Sequence, residues 1–564
     1  MKIVVIGAVA AGTSAATKAR RNNDLAEIII YEKDRDISYS GCGLPYYIGG
    51  EIKGIEELTP RDSSFFKKSY EIDIKTEHEV LEINKDQKSL LVKNLKTEEV
   101  FNDYYDKLII ATGAAPFVPN VEGIHKEHVF FLRNVRNAIA IKDFLFKNQP
   151  KTAVIAGTGF IGFEVLENLL HHKMDVTIVE VADKITPNLD YDMAVYLENL
   201  LIKKGVKLLK SKGITKINEK NVILSDGQML HAELVIMATG VRPNTILAKS
   251  IGITLGQTGA IKVNGKMQTN ISDIYACGDC IETFSAITGK PVYRPLGSTA
   301  NKTGRIAGDA LTGGGLFYRG NLGTGIFKLF DLTIASTGLS EKEALAEGFE
   351  IEICHNIKPD KPSYFKGEEM VIKAVADKKS KRLLGVQIIG TTGVDKRIDV
   401  FATLITYKAT VDELFHLDLA YAPPFSTTKD PVHYTGMILD NAISGGRKLM
   451  TANEIRNMTA DIQIIDVRSV DDFNKKGSVD RAINIPHANL REELGELDEN
   501  KVTVTYCNKG VTGNAAQNVL INHGFKNVYT LSGGHKFYVG SKENKKADHI
   551  REIEAYGAEV LRER

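Results

Sequence analysis

The sequence predicts an α/β chain built on two doubly wound nucleotide-binding domains, and three observations carry that expectation. The first is a glycine-rich turn, Gly7-Ala8-Val9-Ala10-Ala11-Gly12, between an apolar run (residues 2–7) and an alanine-rich segment (Ala10 to Arg20). The second is the return of the same order 150 residues later, at Gly157-Thr158-Gly159-Phe160-Ile161-Gly162. The third is a pair of matching marks, Ala111-Thr112-Gly113 and Ala238-Thr239-Gly240, each after an apolar run. A short β-branched run followed by a glycine turn and a helix reads as a buried parallel strand opening a βαβ unit.

The elements follow in order. Ile28 to Glu32 is the strand that completes the first unit. Ala153 to Gly157, a helix to about His171, and Val176 to Glu180 make the second. Leu108 to Ile110 and Leu234 to Met237 lead into the matching marks, where the chain could cross between the two nucleotide domains. From about Asn321 the pattern becomes mixed strands and helices without nucleotide signals. Gly445, Gly446 and Arg447 lead to a last segment, about 450–564. There Ile462 to Val467 and Val502 to Tyr506 read as strands, each followed by polar helix, so the segment is a small α/β domain of its own.

A length of 564 residues suits about three or four domains. Hydrophobic content of 43% and charged content of 25% are ordinary for a globular protein. A net charge of +1 gives no global pull toward nucleic acid or an anionic membrane. No apolar run is long enough to span a bilayer, so no membrane partner is expected. Five cysteines in so long a chain make no disulfide framework, and a reducing, cytoplasmic setting is expected. Lys2 and the uncharged run Ile3 to Thr17 superficially resemble a signal peptide, yet Gly7 and Gly12 interrupt it at fingerprint spacing.

A glycine turn between strand and helix lets backbone N–H groups and the helix N-terminus face a pyrophosphate. Glu32 lies 20 residues after Gly12 at a strand end, the position for a ribose hydroxyl. Val9 departs from the pattern, which wants glycine, although a side chain pointing away from the phosphates would be tolerated there. The segment Thr269 to Asp279 ends in Gly278-Asp279, which can present a carboxylate to the ribityl hydroxyls of a flavin. Pro295-Leu296-Gly297-Ser298-Thr299-Ala300 then opens a helix whose positive end could face the flavin pyrimidine. FAD is expected at the first turn. At the second, Gly157, Gly159 and Gly162 match in full, and Glu164 sits on the following helix. Glu180 ends the next strand and would repel a 2′-phosphate, with no arginine among Val181, Ala182 and Asp183, so NADH is favoured over NADPH.

Cys42 lies in Ser40-Gly41-Cys42-Gly43-Leu44-Pro45, just after the first βαβ unit. Beside a flavin and a helix N-terminus its pKa is expected to fall, making it a nucleophile. With no second cysteine nearby, it would cycle between thiolate and a mixed disulfide, a persulfide or a sulfenic acid. Cys277, Cys280 and Cys354 are expected to be structural.

The order of FAD motif, Cys42, nicotinamide motif and second FAD motif resembles the flavin disulfide reductases with a single active cysteine. Coenzyme A-disulfide reductases, NADH peroxidases and NADH oxidases belong to that group. The resemblance covers about residues 1–445. It implies two interleaved Rossmann-like domains: FAD-binding over 1–115 and 241–320, NAD(P)H-binding over 116–240. An α+β dimerisation domain over 321–445 would make the protein a homodimer. Gly7, Gly12, Glu32, Lys33, Val80, Ala111, Thr112, Gly113, Asp279, Leu296 and Ala300 would hold FAD. Gly157, Gly159, Ile161, Gly162, Glu164, Glu180 and Gly240 would serve the nicotinamide nucleotide. By the same resemblance Ser14, Lys18, Arg21, Ser38, Gly41 and Asn301 would line a coenzyme A channel, with Tyr70 where some relatives carry a basic residue. Tyr364 and Tyr421 match tyrosines that reach across the dimer toward the other copy's cysteine, and Lys429 matches a substrate-contacting lysine.

In the last segment, Val504-Thr505-Tyr506-Cys507-Asn508-Lys509-Gly510-Val511-Thr512-Gly513 places a cysteine at a strand end before a glycine loop and a helix. Amides curling round such a sulfur stabilise a thiolate or persulfide. With Asp466-Val467-Arg468, Ile485-Pro486-His487 and Leu531-Ser532-Gly533-Gly534, this resembles a rhodanese-like domain over 450–564. Thr512 stands where many active rhodaneses place arginine, so an inactive docking domain remains the alternative. The resemblances together imply a reductase passing electrons from NADH through FAD and Cys42 to coenzyme A persulfide, polysulfide or coenzyme A disulfide. The rivals are an NADH oxidase or peroxidase working through a Cys42 sulfenic acid, and a redox-sensing sulfur-carrier module.

Overall fold

The computed structural model describes residues 1–543. Residues 544–564, which the sequence assigns to the last domain, lie outside the described residues. The chain forms two compact units: Met1–Val179 with Lys212–Asn321, and Glu180–Ser211 with the chain from Leu322 onward.

In the first unit, the apolar strand Lys2–Ile6 lies between Glu27–Glu32 and Lys107–Ile110. Ile72–Thr76 and Ile274–Ala276 extend this parallel sheet on its two sides. Val5 stands opposite Ile30 on one side and Ile109 on the other, all three fully buried. Both faces of such a strand are covered, which is why its sequence is continuously apolar. The repeat does the same: Thr152–Ala156 lies between Asp175–Val179 and Leu234–Met237, with Ile155 opposite Ile178 and Ile236. Where the chain was expected to cross, Ala114–Pro116 and Val241–Pro243 pair antiparallel directly after the two Ala-Thr-Gly marks. Thr112 Oγ1 donates to Asn244 O and Thr239 Oγ1 to Phe117 O, both at 2.7 Å, so each mark is tied to the other crossing strand.

In the second unit, five antiparallel strands run in the order Gly325–Leu329, Leu332–Gly338, Leu383–Gly390, Glu369–Asp377, Ile351–Pro359. A second sheet, wholly parallel, runs Leu449–Met450, Val528–Leu531, Thr503–Tyr506, Gln463–Asp466, Ile483–Asn484. The joint between them is short: Arg447 Nε donates to Asn518 Oδ1 at 2.8 Å, and Leu449 already pairs with Thr530.

The last domain docks on His355, which a buried charge network of the antiparallel sheet and the helix Tyr191–Lys203 holds in place. The Lys373 side chain is fully buried and meets Glu341 at 2.6 Å, Asp192 at 2.8 Å and Asp190 at 3.3 Å. Asp192, on the helix Tyr191–Lys203, also accepts from His355 Nε2 at 2.7 Å. His355 Nδ1 lies 3.0 Å from Ser532 Oγ, in the loop before the helix Gly534–Gly540. Phe537 on that helix stacks on His355 with ring centroids 4.0 Å apart and on Tyr196 at 5.6 Å. The lysine and histidine together hold Asp192 far below the usual carboxylate range against the desolvation that would raise it. Gly533 is required here: at φ +75 it takes the left-handed backbone, and a Cβ would lie 2.9 Å from that of His355.

Removing the cation leaves buried carboxylates uncompensated, which costs about 3–5 kcal/mol. Lys373→Met should therefore lower the thermal midpoint and open the joint near Gly446 to limited proteolysis. An unchanged melting curve and cleavage pattern would mean that the network carries no docking energy.

Candidate active site

The two glycine turns are built alike. Gly7 and Gly157 both have φ +107, and a Cβ would lie 2.3 Å from Ala111 O and 2.4 Å from Ala238 O respectively. Gly12 and Gly162 face the carbonyls of Gly7 and Gly157, where a Cβ would stand at 1.8 and 2.1 Å. Gly7 N–H donates to Tyr31 O and Gly157 N–H to Val179 O, both at 2.8 Å. The middle position is looser: a Cβ on Gly159 would meet nothing within 4 Å. That explains why valine is accommodated at position 9. Val9 lies in the wall of the cavity that the turn opens onto.

That cavity has a volume of about 520 Å³ and is enclosed by the first unit alone. Of the residues expected at FAD, Gly7, Glu32, Lys33, Val80, Ala111, Thr112, Gly113, Asp279 and Ala300 line it. Gly12 lies behind the turn, and Leu296 caps the helix Gly297–Leu311 without lining the cavity. Glu32 is buried, which raises its pKa against the two backbone N–H groups, of Ala8 and Asp34, that its carboxylate accepts at 2.8 and 2.9 Å. The sequence reading missed Arg133. Its guanidinium reaches Asp279 Oδ2 at 2.9 Å and donates to Ala114 O from Nε at 2.9 Å. No spacing rule marks this arginine; only the fold brings it to the carboxylate. Asn134, Asn137, Asn244 and Tyr39 join the wall in the same way.

Around the second turn, Ile161, Gly162 and Glu164 lie on the helix Phe160–His171, and Gly240 takes φ +93 just after Leu234–Met237. Glu180 directly follows the strand Asp175–Val179, and its Oε1 accepts the Ala182 N–H at 2.9 Å.

Cys42 sits in a single 3₁₀ turn, Gly41–Gly43, before the six-residue helix Leu44–Gly49. A Cβ on Gly43 would lie 2.3 Å from Leu58 Cδ2 and displace that side chain, whereas one on Gly41 would touch only Tyr39 at 3.9 Å. Cys42 is the exposed cysteine of five, and all five are free. The chain's own groups push its pKa up, and the lowering expected beside a flavin is a separate contribution. Protein packed around the loop desolvates the thiol and pushes it up, Glu164 and Asp279 add to the rise, and Arg133 opposes it. The helix that follows is a short one, with Pro45 in its first turn. Glu164 itself is raised to about 7 by burial and by Glu167. Its helix packs on Leu44–Gly49, where His172 Nε2 donates to Ile48 O at 2.9 Å. Cys42 and an acid of near-neutral pKa thus share one environment.

The residues expected at a coenzyme A channel are partly engaged with one another. Ser14 Oγ donates to Asn301 Oδ1 at 2.7 Å across the paired helices Ala10–Asn22 and Gly297–Leu311. Lys18 pairs with Asp309 at 3.0 Å, and Arg21 lies 5.9 Å over the Tyr70 ring. Ser38 holds a left-handed φ of 48 and donates its N–H to Ala8 O at 2.9 Å. Cys277 and Cys280 are wholly buried with raised thiols, and Cys280 Sγ donates to Cys277 O at 3.2 Å. Cys354 is buried and raised likewise. All three have the surroundings of structural cysteines.

In the second unit Tyr364 and Tyr421 are 72% and 48% exposed, free to meet another chain or a ligand, and Lys429 is exposed too. Cys507 follows the strand Thr503–Tyr506 and is 7% exposed, with Gly510 N–H donating to Sγ at 3.2 Å. Gly510, at φ +107, caps the helix Val511–Asn522, so that helix begins at the sulfur. Thr512 is exposed beside it.

Because Glu164 keeps its proton to about pH 7 in the folded chain against an ordinary value of 4.5, the folded state binds more protons across that window. Stability attributable to the neutral carboxyl is therefore fully present below pH 4.5 and lost as pH rises through about 7. Glu164→Gln should flatten that pH dependence of unfolding. It should also move the pH midpoint of Cys42 alkylation by iodoacetamide downward, since a negative neighbour is gone. An unmoved midpoint would separate the two groups electrostatically.

The comparisons with known proteins agree with this geometry. The pyridine nucleotide-disulphide oxidoreductase family matches residues 1–300, its dimerisation domain residues 325–431, and the rhodanese-like domain residues 451–539. A coenzyme A disulfide reductase of Staphylococcus haemolyticus is 35% identical over 437 residues, covering 77% of this chain and 98% of that protein. The crystal structure of reduced Bacillus anthracis CoADR-RHD has a TM-score of 0.93 at 38% identity, covering 96% of this chain and 98% of that one. A NAD-dependent persulfide reductase from A. fulgidus has a TM-score of 0.89 at 37% identity, covering 95% and 100%. The chain belongs to the pyridine nucleotide-disulphide oxidoreductase family, as a flavin- and NAD(P)H-dependent member carrying a C-terminal rhodanese-like domain.

Proposed function

We propose that this protein is an NADH-dependent flavoprotein reductase of sulfane sulfur, acting on coenzyme A persulfide, polysulfide or coenzyme A disulfide. It works as a homodimer in the cytoplasm, its domains divided as the sequence reading divides them, and Cys507 carries sulfane sulfur. The observation that carries the reading is Cys42: exposed, on the loop beside the nucleotide-binding sheet, with no cysteine partner for an internal disulfide. Relatives named for coenzyme A disulfide and persulfide reduction support the choice of acceptor. Among the described residues no helix is long and apolar enough to cross a membrane.

The residues of the 520 Å³ cavity fit FAD: a turn whose glycines let a pyrophosphate approach, a buried carboxylate at a strand end for the ribose, and Asp279 with Arg133 beyond. Bound there, FAD supplies two-electron chemistry between a nicotinamide and a sulfur. The chain's own part is to hold the sulfur and manage protons. Cys42 Sγ, as thiolate, attacks the outer or bridging sulfur of the substrate and releases a thiol or hydrosulfide. Glu164, poised near neutrality, sets how readily Cys42 gives up its proton. Tyr364 and Tyr421 donate a phenolic proton to the departing sulfur. Ser14, Asn301, Arg21 and Tyr70 line the approach for coenzyme A, while Lys18 reaches its phosphates only by loosening its pair with Asp309. Glu180 accepts from the adenosine ribose and repels a 2′-phosphate.

Cys42→Ser should leave FAD bound and reducible by NADH, yet lose persulfide and disulfide turnover by orders of magnitude. Retained sulfur reduction in that variant sinks the mechanism, and turnover with oxygen or peroxide but not with persulfide would favour the oxidase reading. Glu180→Ala combined with Ala182→Arg should raise the NADPH-to-NADH ratio of kcat/KM by about tenfold or more, the scale of a charge-assisted hydrogen bond. A constant ratio would place the adenosine elsewhere.

A further inference from the structure

The rhodanese-like loop lacks the arginine that resemblance would place at Thr512, but the fold brings other cations to Cys507. Lys509, two residues after the cysteine, pairs with Glu369 at the end of the strand Glu369–Asp377, and Lys536 pairs with the same carboxylate. The loop is further held by His535 N–H donating to Cys507 O at 2.9 Å and Lys536 N–H to Asn508 O at 3.0 Å. Glu369 faces Pro359 across the sheet, which sets Lys358, the residue before it, at the sheet's edge strand next to the cysteine loop.

Lys358 is the unusual member of this group. It is half-buried, and its ammonium lies 3.8 Å over the Tyr434 ring. Among the described residues it has no hydrogen bond and no carboxylate partner, because Glu369 is taken by the other two lysines. Burial lowers its pKa, Lys509 and Lys429 lower it further, and Cys507 and Glu369 raise it, so all of these groups lie within one field. Lys429 precedes Asp430, whose ion pair with Arg397 at 2.7 Å fixes that end of the helix Pro431–Ile443. A half-buried cation without a carboxylate partner, near a sulfur that already accepts the Gly510 amide, attracts an anion.

We propose that Lys358, helped by Lys429, completes an anion pocket at Cys507 that holds the charged end of a sulfane-sulfur donor of the thiosulfate or polysulfide class. The pocket is shared between two domains, which is why the motif of one alone looks incomplete. It rests on the reading of Cys507 as a sulfur carrier. With thiosulfate, the Cys507 thiolate forms a bond to the outer sulfur as the S–S bond of the donor breaks. The electron pair leaves with sulfite, giving a Cys507 persulfide anion and SO₃²⁻ with three negative charges before and after. Lys358 acts on the donor's oxygens and on the departing sulfite, so it touches the substrate directly.

The test uses the full chain, wild type against Lys358→Met and Lys358→Arg. Peptide mass spectrometry follows Cys507 alkylation by anionic iodoacetate and neutral iodoacetamide, and persulfide formation with thiosulfate. Lys358→Met should lower the iodoacetate-to-iodoacetamide rate ratio several-fold and raise the KM for thiosulfate by about tenfold, the scale of one lost charge-assisted hydrogen bond. Arginine should restore both. The neutral reagent controls for fold and access, since a structural role would change both alkylation rates together. An unchanged ratio and KM in Lys358→Met, with Cys507 still persulfidated, overturns the pocket. A falling ratio with no persulfide in any chain supports the pocket and removes the sulfur-carrier reading instead.

Discussion

Two carbonyl oxygens set the geometry on which the nucleotide-binding half depends. Ala111 O and Ala238 O each stand where a side chain at Gly7 or Gly157 would have to be, so strand and turn approach to a distance only glycine permits. The same residues at the other end of each turn, Gly12 and Gly162, bring the helix onto the turn's own carbonyl. Strand, turn, helix and the Ala-Thr-Gly crossing are locked together by sterics rather than by any single strong bond. The cavity, its carboxylates and the loop of Cys42 all hang from that frame. That the construction recurs almost ångström for ångström in the repeat explains why one fold serves two nucleotides.

A different physics holds the last domain. It docks through Ser532 and Phe537 on His355, and His355 is held by ionised groups removed from water, which is favourable only when each is matched. Lys373 meets three carboxylates, and Asp192 divides itself between Lys373 and His355. The aromatic stack of Tyr196, Phe537 and His355 closes this cluster against solvent. The ion pairs that cross to the last domain are those of Lys509 and Lys536 with Glu369. The short joint at Arg447 is consistent with a docked domain rather than a freely swinging one.

The charged groups around Cys42 and Cys507 differ in sign. Cys42 has carboxylates for neighbours, and one of them titrates near neutrality, so the thiol's ionisation follows a proton held by Glu164. Cys507 has lysines for neighbours and an amide on its sulfur.

How much of this was legible in the chain itself divides by range. Everything that depends on residues close in sequence could be read there: both glycine turns, the strands around them, the crossing marks, the isolation of Cys42 and the loop of Cys507. These are local because a turn admits only the residues its backbone angles and nearest carbonyl allow. What tertiary structure alone decided is long-range and electrostatic. Arg133 reaches Asp279 across 146 positions, and His355 meets Asp192 across 163, with no periodicity or motif to announce either pair. What the chain's own groups do to the Cys42 pKa was hidden for the same reason. Desolvation and the charge of Glu164 arise from helices packed together by the fold, and a sequence carries the charges but not the distances that set their strength.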